Sequence, residues 1–300
     1  MRRSIYKGEM ASPHSFALPV QMPFDWESLL AFMRRRATPG VETVTDSAYT
    51  RTINYGAGPQ TLSVTYDPAG LSLQIAYSGS AATRSTVEGR AKQIFKTDVS
   101  TVPIETFLGR DKWLAGFVAR QPGLRVPGGW SAFEVAVRAI LGQQVSVPAA
   151  TTLMGRLVRI AGTRLTETEW LFPTPEQVLK SGLSALGVPA SRLETVKSLA
   201  SFFAEHGDEC LALADVKARL LAIKGIGKWT AGYILMRTGD SHDHWPEGDL
   251  ILRKALSRKK TMITAAGLEQ AFGQWSPYRA YATIHIWRGY GSSKKSNTPE

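Results

Sequence analysis

The sequence is poor in the residues that build covalent cross-links and metal sites: its 300 residues include one cysteine, Cys210, and five histidines. A single cysteine excludes an internal disulfide framework and a zinc site of clustered cysteines. His242 and His244 are too few for a metal site, and a solvated loop is the better interpretation of that segment. No run of about 18 apolar residues is present, so no transmembrane helix is predicted.

The N-terminus has charged and polar residues where a signal peptide needs an apolar stretch, and a cytoplasmic location is the expectation. Acidic residues are fewer than basic ones, since the chain has 25 aspartates and glutamates and 36 lysines and arginines. From residue 217 onward the ratio is 14 to 6, whereas the first 216 residues have 22 against 19. A basic C-terminal third favours a polyanionic partner, although charge alone leaves DNA, RNA and acidic proteins open.

The first third of the chain predicts a small α+β unit that ends near residue 107. Residues 1–16 show no periodicity and are predicted to be a mobile tail. Apolar residues at helical spacing predict a helix over 26–36, and a second helix is predicted over 87–95. Between them, strands are predicted over 50–55, 62–66 and 71–77, as an antiparallel meander with one buried face.

From residue 103 onward the apolar period is helical, and no repeat or low-complexity tract is found. The helix predicted over 107–120 should pack with the C-terminal helices. The final ten residues are predicted to be a polar tail. A long helix with Leu193, Val196 and Leu199 on one face is predicted within 182–200, after the segment 186–189. The other helices are predicted over 132–141, 147–160, 216–222, 228–237, 250–256 and 277–288.

The segment LLAIKGIGKWTAGYILMR (220–237) predicts two helices joined by a tight turn. Gly225 and Gly227 should free the backbone of this turn for conformations that other residues resist. The amides of the turn, and those that open the second helix, lack helical partners and lie at the positive end of the helix dipole, which favours an anion. Lys228 adds charge beside them. Taken alone, such a turn is more often a plain helix stop than a phosphate site.

A carboxylate follows about twenty residues later, in Pro246-Glu247-Gly248-Asp249 at the start of the helix predicted over 250–256. Taken alone, Asp249 is a standard N-cap. Trp229 and Tyr233 lie four residues apart on one helical face and could be core residues. The combination of hairpin, aromatics and carboxylate in one short segment shifts the interpretation toward a functional site.

The hairpin IKGIGKWTA followed by PEGDLILRKAL resembles the signature of the helix-hairpin-helix (HhH-GPD) superfamily of base-excision DNA glycosylases. Within it, the chain is similar to the AlkA-type bacterial 3-methyladenine DNA glycosylases II. The similarity covers about residues 17–290. Other segments that carry it, in the same order, are FDW (24–26), VETVTDSAY (41–49), RQPGLRVPG (120–128), AVRAILGQQVSV (136–147) and YATIHIW (281–287).

The resemblance implies a mixed α+β fold. A TATA-binding-protein-like domain would occupy residues 17–107 and cover the helical core without gripping DNA. A helical domain carrying the hairpin would occupy 131–241. A second helical domain would combine 108–130 with 242–290, followed by the polar tail 291–300.

The same resemblance implies a monofunctional glycosylase that flips alkylated purines such as 3-methyladenine and 7-methylguanine out of duplex DNA and hydrolyses the N-glycosidic bond. Asp249 would be the catalytic carboxylate, which stabilises an oxocarbenium-like sugar or orients a water, with Glu247 as the neighbouring rival. Cationic bases would be held by cation–π attraction. The implied pocket consists of Trp229, Tyr233, Trp287 and Phe32, although the setting of Trp287 fits a core residue equally well.

The implied DNA grip is the hairpin, through amides around Gly225, Gly227 and Thr230 and the charge of Lys228. The turn at Gln143 and Gln144 would fill the gap left by the flipped base, and Gln144 stands where the family has an apolar leucine. No cofactor is required. The family also holds a monovalent cation at the hairpin, and the matching carbonyls belong to Leu221, Ile223 and Ile226.

Bifunctional relatives carry a Schiff-base lysine at the position of Trp229, so no lyase activity is predicted. The single cysteine excludes the four-cysteine iron–sulfur cluster of some relatives. A monomer in the bacterial cytosol or nucleoid, acting on damaged double-stranded DNA, is expected. Two alternatives stay open: a related glycosylase for deaminated or oxidised purines, and a non-catalytic helix-hairpin-helix DNA-binding protein.

Overall fold

The computed structural model describes residues 14–54, 58–78, 83–257 and 261–295. Within these ranges an N-terminal sheet unit is followed by a mainly helical unit, which confirms the predicted mixed α+β fold. No helix in these ranges combines the length and the apolar character needed to span a membrane.

The strands and helices have the following bounds. The strands are β1 (His14–Pro19), β2 (Glu42–Val44), β3 (Ala48–Asn54), β4 (Pro59–Asp67), β5 (Ser72–Tyr77), β6 (Thr163–Arg164) and β7 (Trp170–Leu171). The helices are α1 (Trp26–Arg34), α2 (Arg84–Phe95), α3 (Val102–Leu108), α4 (Ala115–Ala119), α5 (Ala132–Leu141), α6 (Val147–Ala161), α7 (Pro175–Lys180), α8 (Ala190–His206), α9 (Val216–Ala222), α10 (Lys228–Thr238), α11 (Leu250–Leu256), α12 (Ala265–Gly273) and α13 (Arg279–Lys295).

The first five strands form one antiparallel sheet in the order β1-β5-β4-β3-β2. Alternate residues of β4 and β5 are buried, and Leu62 and Ile75 pack with residues of α1 and α2 in one apolar cluster. The predicted meander is therefore confirmed.

Strand β1 lies in a segment for which no strand is predicted. It pairs with β5 from His14 opposite Tyr77 to Pro19 opposite Ser72. The predicted mobile tail 1–16 is therefore wrong for residues 14–16, and the rest of that tail lies outside the described residues. A short strand that gains its stability from pairing with a strand about sixty residues away leaves little local pattern.

The helix predicted over 107–120 is wrong, because two short helices, α3 and α4, replace it. The Asp111 carboxylate accepts the amides of Trp113 and Leu114 and so turns the chain between them. The predicted packing against C-terminal helices is confirmed by Phe117 of α4, whose ring packs against Gly289 of α13. Helix α13 extends to Lys295, so the predicted tail 291–300 is wrong for 291–295, and 296–300 lie outside the described residues.

Two apolar clusters form the core. One fills the N-terminal unit, and the other runs continuously from Ile104 to Ile286 through the helical unit. Because one cluster joins both parts of the helical unit, the boundaries predicted between two helical domains stay a prediction.

Helix α10 lies at the centre of the helical unit and is buried from Thr230 to Thr238. It packs closely against the segment that precedes α11, since a side chain at Gly232 would collide with the Trp245 carbonyl. This close approach brings residue 249, at the end of that segment, beside the first turn of α10.

The N-terminal unit is fixed to helix α5 by charged groups. Arg51 of β3 lies 3.1 Å from the Glu134 carboxylate and places its guanidinium 4.8 Å above the Trp130 ring. Arg138 of α5 donates to the Thr38 hydroxyl at 3.2 Å. These contacts hold β3 and the segment after α1 beside the helical core.

Candidate active site

Asp249 is the N-cap of α11, as its sequence position predicts. Its Oδ1 accepts the amides of Ile251 at 2.9 Å and Leu252 at 3.0 Å. Two indoles also reach this carboxylate. Trp229 Nε1 donates to Oδ2 at 2.8 Å, and Trp287 Nε1 donates to Oδ1 at 3.0 Å.

The two carboxylate oxygens of Asp249 accept different numbers of hydrogen bonds from these four donors. Oδ1 accepts three hydrogen bonds, whereas Oδ2 accepts one. Hydrogen bonds to an ionised carboxylate are short and strong and fix its orientation. Oδ2 therefore retains acceptor capacity for a water or for positive charge on a ligand, while the rest of the side chain is held rigidly.

Asp249 lines a cavity of about 480 Å³ together with all four predicted pocket residues, Trp229, Tyr233, Trp287 and Phe32. This volume lies within the usual range of small-molecule sites. The Trp229 and Tyr233 rings stack at 5.3 Å and 10°, and Tyr233 lies 6.3 Å from the Trp287 ring. The structure thus brings the predicted residues together, while their roles in binding stay a prediction.

Three arginines whose role the sequence does not indicate act on the Tyr233 phenol. Arg237 Nη1 donates to the phenol oxygen at 2.9 Å, and the Arg36 guanidinium lies 3.8 Å above the Phe32 ring. Burial lowers the pKa of Arg36 to about 10. The third arginine, Arg138, comes from α5. Only the four-residue spacing of Tyr233 and Arg237 on one helix could have suggested part of this cluster.

The hairpin turn uses its two glycines differently. Gly225 has φ +93°, and a side chain there would collide with Thr195. Gly227 has an ordinary extended backbone at φ −96°, so the expectation that both glycines need unusual conformations is wrong for Gly227.

The amides of Gly225, Gly227, Lys228 and Thr230 make no hydrogen bond within the described residues. A side chain at Gly227 would meet no protein atom, so the space in front of this position is open. The donors of the predicted anion site are available, and phosphate binding stays a prediction.

Gln143 braces the turn after α5 against the hairpin. Its Nε2 donates to the Gly225 carbonyl and to the Thr230 hydroxyl, both at 3.0 Å. The next residue, Gln144, is exposed and has φ +57°, a conformation that is uncommon for residues other than glycine. This geometry presents Gln144 at the tip of the turn, and its role as a wedge stays a prediction.

Glu247, the rival carboxylate, is engaged elsewhere. It lies 2.5 Å from Lys217 Nζ and 3.8 Å from Lys228 Nζ, and it does not line the 480 Å³ cavity. The Lys228 side chain is 68% exposed and therefore faces solvent on the hairpin surface. Of the two acids, Asp249 alone lies at the cavity.

The carbonyls at and near the predicted cation site differ in whether they accept hydrogen bonds. The Lys224 and Gly225 carbonyls are taken by Thr195 and Gln143. In contrast, the Leu221 and Ile226 carbonyls accept no hydrogen bond within the described residues, and Ile223 accepts one, from the Ile226 amide. Binding of a monovalent cation by the carbonyls of Leu221, Ile223 and Ile226 stays a prediction.

Comparison with known proteins shows the class of protein to which this fold belongs. The AlkA N-terminal domain family matches residues 15–131. The fold resembles that of a 3-methyladenine DNA glycosylase from Archaeoglobus fulgidus, with TM-score 0.79 and 20% identity over 92% of this chain and 98% of the other. It also resembles a Clostridium acetobutylicum 8-oxoguanine glycosylase/lyase solved with double-stranded DNA, with TM-score 0.70 and 14% identity over 92% and 93% of the chains. These likenesses show a helix-hairpin-helix glycosylase fold.

Two proteins with similar sequences identify the family within this class. DNA-3-methyladenine glycosylase 2 of Escherichia coli is 32% identical over 281 residues, which cover 91% of this chain and 96% of the relative. A probable bifunctional transcriptional activator/DNA repair enzyme AlkA of Mycobacterium tuberculosis is 34% identical over 91% of this chain. The chain spans 56% of that longer protein. The chain belongs to the AlkA family of DNA glycosylases.

Proposed function

We propose that the protein is a DNA glycosylase of base-excision repair that removes alkylated purines from double-stranded DNA. The observation that carries this proposal is Asp249, held at the wall of an aromatic cavity by the indoles of Trp229 and Trp287. A base inside a duplex must leave the stack to reach such a cavity. Aromatic walls suit a cationic alkylated base, because cation–π attraction contributes about 2 kcal/mol when desolvated.

Hydrolysis of the N-glycosidic bond needs few catalytic groups from the protein. As the bond from the base to C1′ breaks, its electron pair stays with the base, and positive charge develops on the sugar. Oδ2 of Asp249 stabilises that charge and orients the water whose oxygen bonds to C1′, and the proton that this water loses passes through Asp249 to the solvent. A base that was cationic leaves as a neutral molecule, so no general acid is required.

The proposed grip on DNA is the hairpin, whose amides at Gly225, Gly227 and Thr230 bind phosphate oxygens and position the duplex without reading sequence. Gln144, at the exposed tip of its turn, fills the space left by the flipped base. The hydrogen bonds from Gln143 to Gly225 and Thr230 join the turn after α5 to the hairpin, so both contact DNA as one rigid unit.

The proposed enzyme lacks lyase activity. Trp229 occupies the position at which lyase relatives have their Schiff-base lysine, and its indole donates a hydrogen bond to Asp249. The neighbouring Lys228 is exposed and faces Glu247. We also propose that a monomer acts in the bacterial cytosol or nucleoid, with a monovalent cation at the hairpin carbonyls.

Base release from methylated duplex DNA tests the proposal. The purified protein should release 3-methyladenine and 7-methylguanine, and the strand should stay intact until alkali is added. Nicking without alkali would refute the absence of lyase activity. Release restricted to deaminated or oxidised purines would replace the substrate class. DNA binding without release of any base would reduce the protein to a binding module.

Replacing Gly227 tests the phosphate grip. Gly227→Ala is expected to weaken duplex binding about tenfold, a loss of about 1.4 kcal/mol, because the methyl group enters the space a phosphate would occupy. The protein itself should be undisturbed, since a Cβ at Gly227 meets no other atom. Titrations at several salt concentrations measure the affinity, which should fall steeply with salt as counterions are released.

Gly273→Ala is the matched control, because a Cβ there also meets no protein atom and the position lies at the end of α12. It should bind DNA like the unmodified protein. Equal affinity of both variants, or a flat salt response, would contradict the hairpin-to-phosphate contact.

A further inference from the structure

The cavity wall contains an electrostatic conflict. Positive charge behind an aromatic face opposes the binding of a cationic base, yet Arg237 donates to the phenol of Tyr233 and the charges of Arg36 and Arg138 also act on it. Each of these arginines is buried in the described structure or lines the cavity. The group at which their charges converge is the phenol, which can itself lose a proton.

The arginines are held in place by neutral groups. Arg237 is anchored by the carbonyls of Pro127 and Gly128, and this anchoring directs its Nη1 to the phenol. Arg36, two residues beyond α1, donates to the Phe32 carbonyl and stacks on the Phe32 ring.

The other charged groups near the phenol leave this excess of positive charge in place. Arg138, from α5, donates to two threonine hydroxyls. The carboxylates that interact with Arg138, Glu42 and Glu134, are bonded to Arg51 and Tyr49. From α11, Asp249 is engaged by the indoles of Trp229 and Trp287. The remaining charged residues that line the cavity are Arg35, Arg125 and Arg288.

Ionisation of the Tyr233 phenol would supply negative charge beside Arg36, Arg138 and Arg237. Burial raises the pKa of Tyr233, but the charges of Arg237, Arg36 and Arg138 outweigh burial and lower the pKa to about 8. Roughly a tenth of the molecules would then carry the phenolate at neutral pH, and most would carry it at about pH 9. The ring that bears this charge is a wall of the base cavity.

We propose, building on the function proposed above, that Tyr233 is a specificity-determining residue whose phenol proton sets the charge of the base cavity. With the phenol protonated, the arginine charges weaken the attraction of the cavity for cationic bases relative to neutral ones. With the phenol ionised, the ring attracts the positive charge of an alkylated purine. The preference for cationic over neutral bases therefore rises with pH.

Release rates for two bases test this inference. Single-turnover release of 3-methyladenine, cationic in the nucleotide, is compared with that of 1,N6-ethenoadenine, which is neutral, from about pH 6.5 to 9.5. Spontaneous loss is measured without protein and subtracted. The ratio of the two rates is expected to rise about tenfold, with its midpoint near the Tyr233 pKa of about 8.

Two variants assign the effect to the cluster. In Tyr233→Phe the ratio should be independent of pH. In Arg36→Gln the midpoint should move to higher pH, because one of the cations that favour the phenolate is gone. Near-ultraviolet absorbance of the unmodified protein minus Tyr233→Phe should show one phenol that ionises near pH 8. Tyr66→Phe, which removes a phenol outside the cavity, should leave both the ratio and that transition unchanged.

The outcomes separate the two proposals. A Tyr233 phenol that stays protonated beyond about pH 10 would overturn the inference. So would a rate ratio that does not change across a phenol transition near pH 8. Either result leaves the proposed function intact as long as both bases are released. Absence of release at every pH would overturn the proposed function and this inference with it.

Discussion

Asp249→Asn is expected to reduce the release of 3-methyladenine about a thousandfold while duplex binding stays within a few-fold of the unmodified protein. The substitution removes the negative charge that stabilises the developing sugar cation. Asparagine is as good an N-cap as aspartate, so its oxygen can keep the amides of Ile251 and Leu252. Its NH₂ group cannot accept from the Trp229 indole, and that hydrogen bond is lost.

The control for this substitution is Glu247→Gln, which neutralises the neighbouring acid. Glu247 is paired with Lys217 and does not line the cavity, so release should stay close to that of the unmodified protein. Single-turnover release, binding to duplex and thermal melting are measured for both variants. The assignment of Asp249 is refuted by a variant that keeps full release, or by an equal loss in Glu247→Gln.

The sequence predicts those parts of the site whose signals are local or carried by the family resemblance. The hairpin, the N-cap position of Asp249 and the pair Trp229 and Tyr233 all lie within about thirty residues, where helix spacing and capping rules apply. The structure brings Trp287 and Phe32 to the same cavity from distant segments. Only the resemblance could place these two, because no local rule links residues that far apart.

The parts that were missed depend on contacts between distant segments. The charges of Arg36, just after α1, and Arg138, on α5, act on Tyr233 from separate segments, and Gln143 meets the hairpin 82 positions away in Gly225. The indole bonds to Asp249 were also missed, because the aromatic residues were interpreted as stacking faces only. Gly227 shows the opposite error: its residue type suggested an unusual backbone, whereas its neighbours leave it extended.

A second large effect is expected at the contact between the N-terminal unit and α5. Glu134→Leu should lower the free energy of unfolding by about 3 kcal/mol, because it leaves the charge of Arg51 buried without its main partner. The Arg51 side chain is 2% exposed and lies 3.1 Å from Glu134, while its second carboxylate, on Glu42, is 3.8 Å away. Burial opposes the charge of Arg51, but Glu134, Tyr49 and Glu42 outweigh it and raise the arginine pKa.

Urea unfolding of three variants separates a lost ion pair from lost packing. Glu88→Gln breaks the exposed pair with Lys92 and should leave the free energy of unfolding nearly unchanged. The double variant Arg51→Met/Glu134→Leu should recover most of the loss of Glu134→Leu, since a well-packed apolar pair can replace a buried ion pair at little cost. If the double variant were less stable than Glu134→Leu, the penalty would come from packing at this junction. If it recovers, the unpaired charge of Arg51 is the cause, and the two units are held together by charge compensation between β3 and α5.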